Sequence, residues 1–418
     1  MTDCAFTIVA KNYIGLGQIL EHSLRQHNPD VDFKIFVADE FENMPQEFPS
    51  SIIFAKTISP FTEEEWRDMA FKYDLTEFCT CIKPLCFQYL MKQGYEKVLY
   101  FDPDIYVFSP IDEILLRLDQ YEMTLTPQVV GIHPVYQGEH PEWAMNVNGI
   151  FNLGFCGMRN SKVTDAILDW WQKRLIDNCF ADRSVGNFTD QKWMDWMPGF
   201  LGSESLYVFH HLGMNMAPWN YFERELYMEG ESIMVKFRTD DNPQRSDKLV
   251  FLHFAGYDYK QMEQGIISRK RIEELKEYDD LKLATDIYRE AIVKQRKLFD
   301  EYILQEYSYG KYDNGTPIAA FHRRLYHGAL GFHNTDPFST SIGSFYAAIS
   351  KKGMIIDEKL DSLSRKNIQG LDKKKKMIAY LFRTLFFLMG YKRYVLFVKS
   401  LYFYCRPELH TFLIKYPK

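Results

Sequence analysis

Two aspartates separated by one residue are the clearest sign of chemistry in this 418-residue chain. Asp102, Pro103 and Asp104 directly follow the apolar run at 97–101, which predicts a strand. Alternate residues of extended backbone point to the same side, and Pro103 biases Asp102 towards that geometry. Two carboxylates this close repel each other unless a cation lies between them. Their oxygens suit Mg²⁺ or Mn²⁺, which would hold a diphosphate and stabilise it as a leaving group.

The surrounding pattern decides between such a site and a plain Asp-Pro turn with two solvated acids. Strand and helix patterns alternate through the first two-thirds of the chain, which predicts an α/β sheet. Strands are predicted at 5–10, 33–38, 97–101, 105–108, 122–126, 149–158 and 249–254, and helices at 14–26, 62–72, 81–92 and 162–177. Ligands bind at the carboxyl ends of strands in such sheets, and this position favours the site.

The pattern changes after about residue 262. Residues 263–307 predict long charged helices, 308–343 predict an ordered loop region, and 373–404 are basic and aromatic. The net charge of the chain is -6, yet residues 365–418 alone carry +11, so the rest carries -17. A basic tail on an acidic body indicates an anionic partner for the tail. Residues 377–404 suit a helix in the interface of an anionic membrane, or equally a helical domain packed on the catalytic one. No nucleic-acid-binding module is recognised.

Composition and cysteine spacing narrow the class of protein. Charged residues make up 25% and hydrophobic residues 46% of the chain, as in a folded globular protein. The seven cysteines are irregularly spaced and complete no zinc site, which favours reduced thiols. The N-terminus lacks a basic region and continues into a strand, and no apolar run has the length of a membrane span. We therefore expect a cytoplasmic protein, peripheral on the inner face of the membrane if the tail binds lipid.

Residues 1–260 resemble the GT-A glycosyltransferases, most closely the family-eight group of glycogenin and bacterial galactosyltransferases. Seven ordered blocks carry the resemblance: 7–13 (TIVAKNY), 37–39 (VAD), 81–84 (CIKP), 102–104 (DPD), 151–155 (FNLGF), 190–191 (DQ) and 253–256 (HFAG). The resemblance implies a GT-A fold, with a mixed central sheet flanked by helices, over a catalytic domain at 1–261. A mainly helical, basic region at 262–418 would follow it.

The resemblance also implies a role for each matching residue. The metal ligands would be Asp102, Asp104 and His253. The nucleotide-sugar would be bound by Ala10, Asn12, Tyr13, Asp39, Lys83 and Gly256, with Lys83 offsetting the charge of the diphosphate. The catalytic residues near the anomeric carbon of the donor sugar would be Asn152, Asp190 and Gln191. The segment 215–220 resembles a Trp-Asn element of bacterial relatives and would line the acceptor side.

Some residues depart from the family pattern or have a structural alternative. The Lys-Pro-Trp that often follows His-Phe-x-Gly is replaced by residues 257–260 (YDYK), and the usual Ser after Asn152 is Leu153. His253 could instead be a structural hydrogen-bonding residue, and Asp190 could cap the following helix. Gly15 and Gly17 lack the third glycine of a dinucleotide-binding loop, which argues against an oxidoreductase.

The sequence therefore predicts a metal-dependent hexosyltransferase of the kind used in polysaccharide biosynthesis. It would move a sugar from a nucleotide-sugar, expected to be UDP-linked, to a hydroxyl of a glycan, lipid-linked sugar or protein, with retention. Two alternatives stay open. One is a haloacid-dehalogenase-like phosphatase, although Tyr106 occupies the position where that motif has Thr or Val. The other is a non-catalytic adaptor with the GT-A fold.

Overall fold

The computed structural model describes residues 3–41, 48–138, 141–238, 245–259, 261, 278–295, 302–355 and 370–416. The chain forms two compact units: Met1–Pro60 with Leu75–Ser308, and Phe61–Asp74 with Tyr309–Lys418. These two units are defined by compactness alone, and they do not coincide with the predicted division into a catalytic domain at 1–261 and a basic region at 262–418. That functional division stays a prediction. Residues 263–277 and 296–301 of the predicted charged helices, and 365–369 and 417–418 of the tail, lie outside the described residues.

The strands of the described chain all belong to the first unit. They are β1 Cys4–Val9, β2 Asp32–Val37, β3 Ile52–Phe54, β4 Lys97–Phe101, β5 Ile105–Val107, β6 Met123–Pro127, β7 Phe151–Arg159, β8 Leu206–Val208, β9 Arg224–Glu229, β10 Ser232–Phe237, β11 Ser246–Lys248 and β12 Phe251–His253. Seven form one sheet in the order β3-β2-β1-β4-β7-β6-β8. Only β7 runs antiparallel to its neighbours, β4 and β6. The sheet is thus mixed, as predicted.

The α-helices are α1 Ile14–His27, α2 Glu63–Lys72, α3 Leu75–Cys81, α4 Lys83–Lys92, α5 Asp112–Leu118, α6 Glu142–Asn148, α7 Lys162–Asn178, α8 Met197–Leu201, α9 Lys282–Lys294, α10 Ala320–Gly328, α11 Phe345–Ser350 and α12 Leu371–Tyr404. In the first unit, α1, α4 and α5 pack against strands of the large sheet. The predicted helices at 14–26 and 162–177 are confirmed. The one predicted at 81–92 is confirmed over 83–92 as α4, while Cys81 is the last residue of α3.

Helix α1 packs closely on the sheet because of Gly17. A Cβ at this position would lie 3.3 Å from side-chain atoms of Thr7 in β1 and Ile35 in β2. Glycine therefore allows the helix axis to approach the strands. This packing role accounts for Gly17 without a dinucleotide-binding loop.

The second unit contains α2 and α10 to α12. Thr62 and Glu65 form the predicted capping box at the start of α2. The prediction of a loop region at 308–343 is wrong in part, because α10 occupies 320–328. Its inward-facing positions include polar His322 and Arg323, which are buried, and these concealed the apolar period of the helix. Within the described residues, no helix combines the length and the apolar character needed to cross a membrane.

Candidate metal and nucleotide-sugar site

The Asp102–Asp104 turn lies where β4 ends and β5 begins. Asp102 N donates to Gly154 O in β7 (2.8 Å), and Ile105 N donates to Asp102 O (3.0 Å), which fixes the turn. Strand β12 pairs with β5 in antiparallel register and sets His253 opposite Ile105. The residues immediately after β4 and at the end of β12 are therefore brought together by the pairing of β12 with β5, which form a separate two-stranded sheet.

Asp102, Asp104 and His253 form a cluster able to hold a metal ion. One ligand atom from each residue lies within 4.8 Å of the others. His253 Nε2 is 3.1 Å from Asp104 Oδ1 and 3.6 Å from Asp102 Oδ2. Two carboxylates and one imidazole, all borne on strand ends, are a donor set suited to Mn²⁺ or Mg²⁺. The side chains present thus fit the predicted cation.

The absence of a side chain at Gly154 makes room for this cluster. A Cβ there would lie 2.5 Å from His253 Cε1 and 2.8 Å from Asn152 Oδ1. Real Cβ atoms do not approach other atoms so closely, so the His253 ring occupies space that only glycine leaves free. The same contact shows that the side chain of Asn152 lies beside the cluster.

Three aromatic side chains support the cluster: Tyr100 and Tyr259, which the sequence did not single out, and Trp219 of the segment expected to line the acceptor side. Tyr100 Oη donates to Asp102 Oδ1 (2.5 Å), and Tyr259 Oη lies 3.1 Å from Asp104 Oδ2. The Trp219 ring meets the His253 ring edge-on, with centroids 5.2 Å apart. Tyr100 precedes Asp102 by two residues, so strand alternation could have identified it. Tyr259 and Trp219 reach the site only through the tertiary fold.

The electrostatics of the cluster favour a bound cation. Burial raises the pKa of Asp102, and the nearby Lys83 and His253 only partly offset this. Burial would also raise the pKa of Asp104, but the adjacent His253 outweighs it and holds that pKa below its usual value. For His253, burial is outweighed by Asp104 and Asp102, and its pKa is raised. A proton on His253 and a divalent cation therefore compete to balance the same two carboxylates.

A cavity of about 400 Å³ borders the two aspartates. Five of the predicted site residues line it: Ala10, Tyr13, Asp102, Asp104 and Gly256. The remaining lining comes from β1, α3 and the segments flanking these residues: Ile8, Val9, Leu75, Thr76, Cys79, Thr80, Tyr100, Pro103, Tyr257 and Tyr259. Gly256 has a φ of 78°, and a Cβ there would meet no atom within 4 Å. Its backbone thus faces open space in the cavity.

Asp39 and Asn12 do not belong to the described lining of the cavity. Asp39 is buried at the end of β2, where its Oδ1 accepts from Lys11 N (2.7 Å) and its Oδ2 accepts from Ser308 N (3.2 Å). Burial raises the pKa of Asp39 to about 6 despite these two bonds. Its contacts hold the loop after β1, and therefore the backbone beside Ala10 and Tyr13.

Lys83 and Asp190 are joined in a buried ion pair. Lys83 Nζ contacts Asp190 Oδ2 and also donates to Leu153 O (2.9 Å). It lies 3.9 Å from the centroid of the Tyr100 ring. The side chain of Asp190 makes no capping bond to the helix that follows it, so the alternative of a helix cap is wrong. The predicted contact of Lys83 with a diphosphate stays a prediction.

Asn152 and Gln191 hold each other beside this pair. Gln191 Oε1 accepts from Asn152 Nδ2 (3.2 Å) and Leu153 N (3.1 Å), and Gln191 Nε2 donates to Asn148 O (3.0 Å). Asn215 Nδ2 donates to Asn152 Oδ1 (3.0 Å), which connects the 215–220 segment to the group. The predicted residues therefore fall into two groups. One group lines the cavity, and the other is a polar group on β7 and its neighbours that consists of Lys83, Asn152, Asp190 and Gln191.

Comparisons with known proteins give distant likenesses. No protein-family model matches the chain. A sequence relative, the uncharacterized protein YfnF of Bacillus subtilis (strain 168), is 23% identical over 297 residues, covering 70% of this chain and 92% of the relative. Several solved structures also match, each at a low TM-score.

Glycosyltransferases by description are among these structures, three examples being LgtC, GlyE and mouse xyloside xylosyltransferase 1. The galactosyltransferase LgtC, in complex with donor and acceptor sugar analogs, matches at a TM-score of 0.35 with 12% identity, covering 72% of this chain and 97% of LgtC. The glycosyltransferase GlyE of Streptococcus pneumoniae TIGR4 matches at 0.38 with 15% identity, covering 75% and 67%. Mouse xyloside xylosyltransferase 1 matches at 0.35 with 13% identity, covering 61% and 98%. Because these TM-scores are low, the function proposed below rests on the side chains of the site.

Proposed function

We propose that the protein is a metal-dependent glycosyltransferase of the GT-A type that uses a nucleotide-sugar, with UDP as the expected nucleotide. One observation carries the proposal: Asp102, Asp104 and His253 converge at the border of a cavity that is also lined by the loop after β1. A cation held by these residues would neutralise the charge that develops on a diphosphate leaving group. The order of the sequence blocks supports the same assignment, and the likeness to family eight is part of the proposal.

The donor would lie along the cavity, with its nucleotide next to Ala10 and Tyr13. Tyr13 is partly buried, and its ring meets the Tyr259 ring edge-on at a centroid distance of 6.3 Å. Gly256 would allow the backbone to approach the diphosphate, because no side chain fills that space. Asn12 and Asp39 would act on the nucleotide through the loop after β1, which Asp39 holds by its bond from Lys11 N.

The polar group on β7 would position the donor sugar. Both oxygens of Asp190 are engaged, Oδ2 with Lys83 and Oδ1 as an acceptor from Thr189 Oγ1 (3.1 Å). Gln191 is a neutral amide whose oxygen already accepts two hydrogen bonds. Neither is therefore suited to act as a nucleophile.

A front-face displacement with retention fits these residues better than a covalent intermediate on the protein. The acceptor hydroxyl would attack on the face that the phosphate leaves, and an oxygen of the departing phosphate would take its proton. The protein would contribute by positioning the donor and by stabilising charge. Asn152 and Gln191 would orient the sugar, and the 215–220 segment would line the acceptor side. The acceptor would be a hydroxyl of a glycan, a lipid-linked sugar or a protein.

Isothermal titration calorimetry of the full-length protein tests this proposal. A panel of UDP-, GDP- and dTDP-sugars is titrated with and without Mn²⁺. We expect one nucleotide class to bind at least tenfold more tightly with Mn²⁺. Asp104→Asn should abolish the metal-dependent part. Asp119→Asn, which changes a carboxylate whose side chain is 54% exposed, should leave it unchanged.

The outcomes separate the alternatives. If no nucleotide-sugar binds in a metal-dependent manner, the enzyme assignment is wrong and the non-catalytic adaptor is favoured. If a bound nucleotide-sugar or sugar phosphate is hydrolysed to free phosphate with every acceptor tested, the phosphatase is favoured. Transfer of a labelled sugar to a hydroxyl acceptor, followed by the anomeric configuration of the product, would establish the reaction and its stereochemistry.

A further inference from the structure

The C-terminal helix α12 presents an unusual surface. Its 34 residues include eight Lys or Arg and a single acid, Asp372. Large apolar side chains are nevertheless exposed along its length: Met377, Tyr380, Leu381, Phe387, Leu388, Tyr391, Leu396, Tyr402 and Phe403. Phe387 is 85% exposed and Leu388 72% exposed. Large apolar side chains exposed in this number along one helix indicate an interaction site.

The helix is in fact a hairpin of two arms. Gly390 has φ 70° and ψ 167°, which is outside the helical region and is readily adopted only by glycine. Twelve residues span about 18 Å along a straight helix, yet the Phe382 and Tyr394 ring centroids are 6.4 Å apart. Phe386 also meets the Tyr394 ring, at 5.2 Å. The second arm therefore folds back on the first, and Phe387, Leu388 and Tyr391 lie at the bend.

Cations accompany the apolar residues on both arms. Lys373 to Lys376 begin the first arm and Arg383 lies in its middle, while Lys392, Arg393 and Lys399 are on the second arm. These side chains are exposed. Lysine and arginine can place their apolar stems in the headgroup region while their charges remain in water or bind lipid phosphates. Tyrosine is likewise enriched at that depth.

We infer that the α12 hairpin docks on the surface of a bilayer that contains anionic lipids. The bend residues Phe387, Leu388 and Tyr391 would enter the acyl boundary, and the cations would contact the headgroups. Charge complementarity selects this occupant, since residues 365–418 carry +11 and the rest of the chain carries -17. Only the C-terminal segment is therefore attracted to an anionic surface, and the remainder of the chain is repelled by it.

A second copy of the chain is a poorer occupant for this surface. Pairing two copies of α12 would bring eight cations of each chain together, and like charges across an interface oppose association. Lysine is also depleted in protein–protein interfaces. A lipid surface removes both objections, because it supplies negative charge and accepts scattered aromatic side chains.

Co-sedimentation with vesicles tests the inference on the full-length protein, without metal or nucleotide, so its outcome is independent of the proposed enzyme activity. Vesicles of phosphatidylcholine alone are compared with vesicles that contain about 30% phosphatidylglycerol. The second composition gives the vesicle surface the negative potential that attracts basic segments. We expect the protein to pellet with the anionic vesicles, and the bound fraction to fall at high salt.

Two variants and a matched control identify the surface. Phe387→Ser combined with Leu388→Ser should weaken partitioning at least tenfold, and so should neutralising Lys373 to Lys376 with glutamine. Ile342→Ser changes a fully exposed apolar side chain elsewhere in the second unit and should bind as the wild type does. Wild-type protein that stays in the supernatant, or a Phe387/Leu388 variant that still pellets fully, would overturn the inference. The inference would also be overturned if the wild-type protein formed a dimer without lipid and the Phe387/Leu388 variant were a monomer. In that case a second copy of the chain would be the occupant of this surface.

Discussion

Replacing Tyr100 with phenylalanine tests how the metal cluster is organised. Tyr100 Oη donates to Asp102 Oδ1, which leaves Asp102 Oδ2 directed towards His253. Burial, together with the neighbouring Asp102, raises the pKa of Tyr100 well above its usual value, so this hydroxyl remains a donor at neutral pH. Phenylalanine removes only the hydroxyl. The ring stays in place, packed beneath Lys83 Nζ, and the carboxylate loses the bond that sets its rotation.

The expected magnitude follows from that one bond. A hydrogen bond to a charged group contributes about 1.5 to 3 kcal/mol, and loss of a residue that orients a metal ligand costs about 10- to 100-fold in metal affinity. Tenfold corresponds to about 1.4 kcal/mol, so the two estimates agree. We therefore expect Tyr100→Phe to raise the Kd for Mn²⁺ by about 10- to 100-fold, with little change in the fold.

Calorimetric titration of Mn²⁺ into the full-length protein measures this effect. Tyr95→Phe is the matched control, because Tyr95 also donates to a carboxylate, that of the partly buried Asp32, at the opposite end of β2 from Asp39. It should leave the Kd for Mn²⁺ unchanged. If Tyr100→Phe binds Mn²⁺ as tightly as wild type does, the carboxylate is not held by Tyr100, and the reasoning about the cluster fails.

Three further predictions concern the site and each unit. Gly154→Ala should weaken Mn²⁺ binding at least tenfold in the same titration, because its Cβ displaces the His253 ring; unchanged binding would show that the ring has room to move. Because the pKa of Asp39 is raised in the folded protein, folding favours the neutral form of this carboxyl group. Asp39 therefore contributes to the free energy of unfolding below about pH 4, and this contribution is lost as the pH rises through about 6. Relative to Asp39→Asn, wild-type stability in urea melts should fall by about 2 to 3 kcal/mol over that range, and a flat difference would contradict this. Arg323→Met should destabilise the second unit by about 3 kcal/mol or more in thermal melts, since Arg323 Nη1 and Nη2 donate to four backbone carbonyls; a melt within a degree of wild type would refute it.

The large sheet could be predicted because its strands are short apolar runs. The predicted strand at 97–101 coincides with β4, and 149–158 overlaps most of β7. Helix α10 was missed for the opposite reason. Its buried face includes Arg323, whose guanidinium is stabilised by hydrogen bonds to carbonyl groups distant in sequence. Periodicity detects apolar faces, and it cannot anticipate a buried cation whose partners are set by the tertiary fold.

The residues of the candidate site likewise differ in whether local sequence could identify them. Asp102 and Asp104 could be paired from local sequence alone. The expected alternation of extended backbone is wrong in detail, because the two carboxylates converge across the turn between β4 and β5. His253 joins them through the pairing of β12 with β5, which no local pattern contains, so its inclusion depended on the resemblance. The Lys83–Asp190 pair likewise joins the start of α4 to a residue far along the chain. The blocks identified both residues, but not that they would bind each other.

The contacts of Lys83 bear on how strongly the reaction would depend on metal. Lys83 is 1% exposed and is committed to Asp190 and Leu153. Within the described residues, the lining of the cavity includes no Lys or Arg, and the stretch after Gly256 lacks the Lys-Pro-Trp of the glycosyltransferases that the sequence resembles. The two acids at the border add negative charge to that of a diphosphate. A cation at Asp102, Asp104 and His253 would then be the principal positive charge facing the donor, so we expect nucleotide binding to be nearly abolished by a chelator rather than merely weakened.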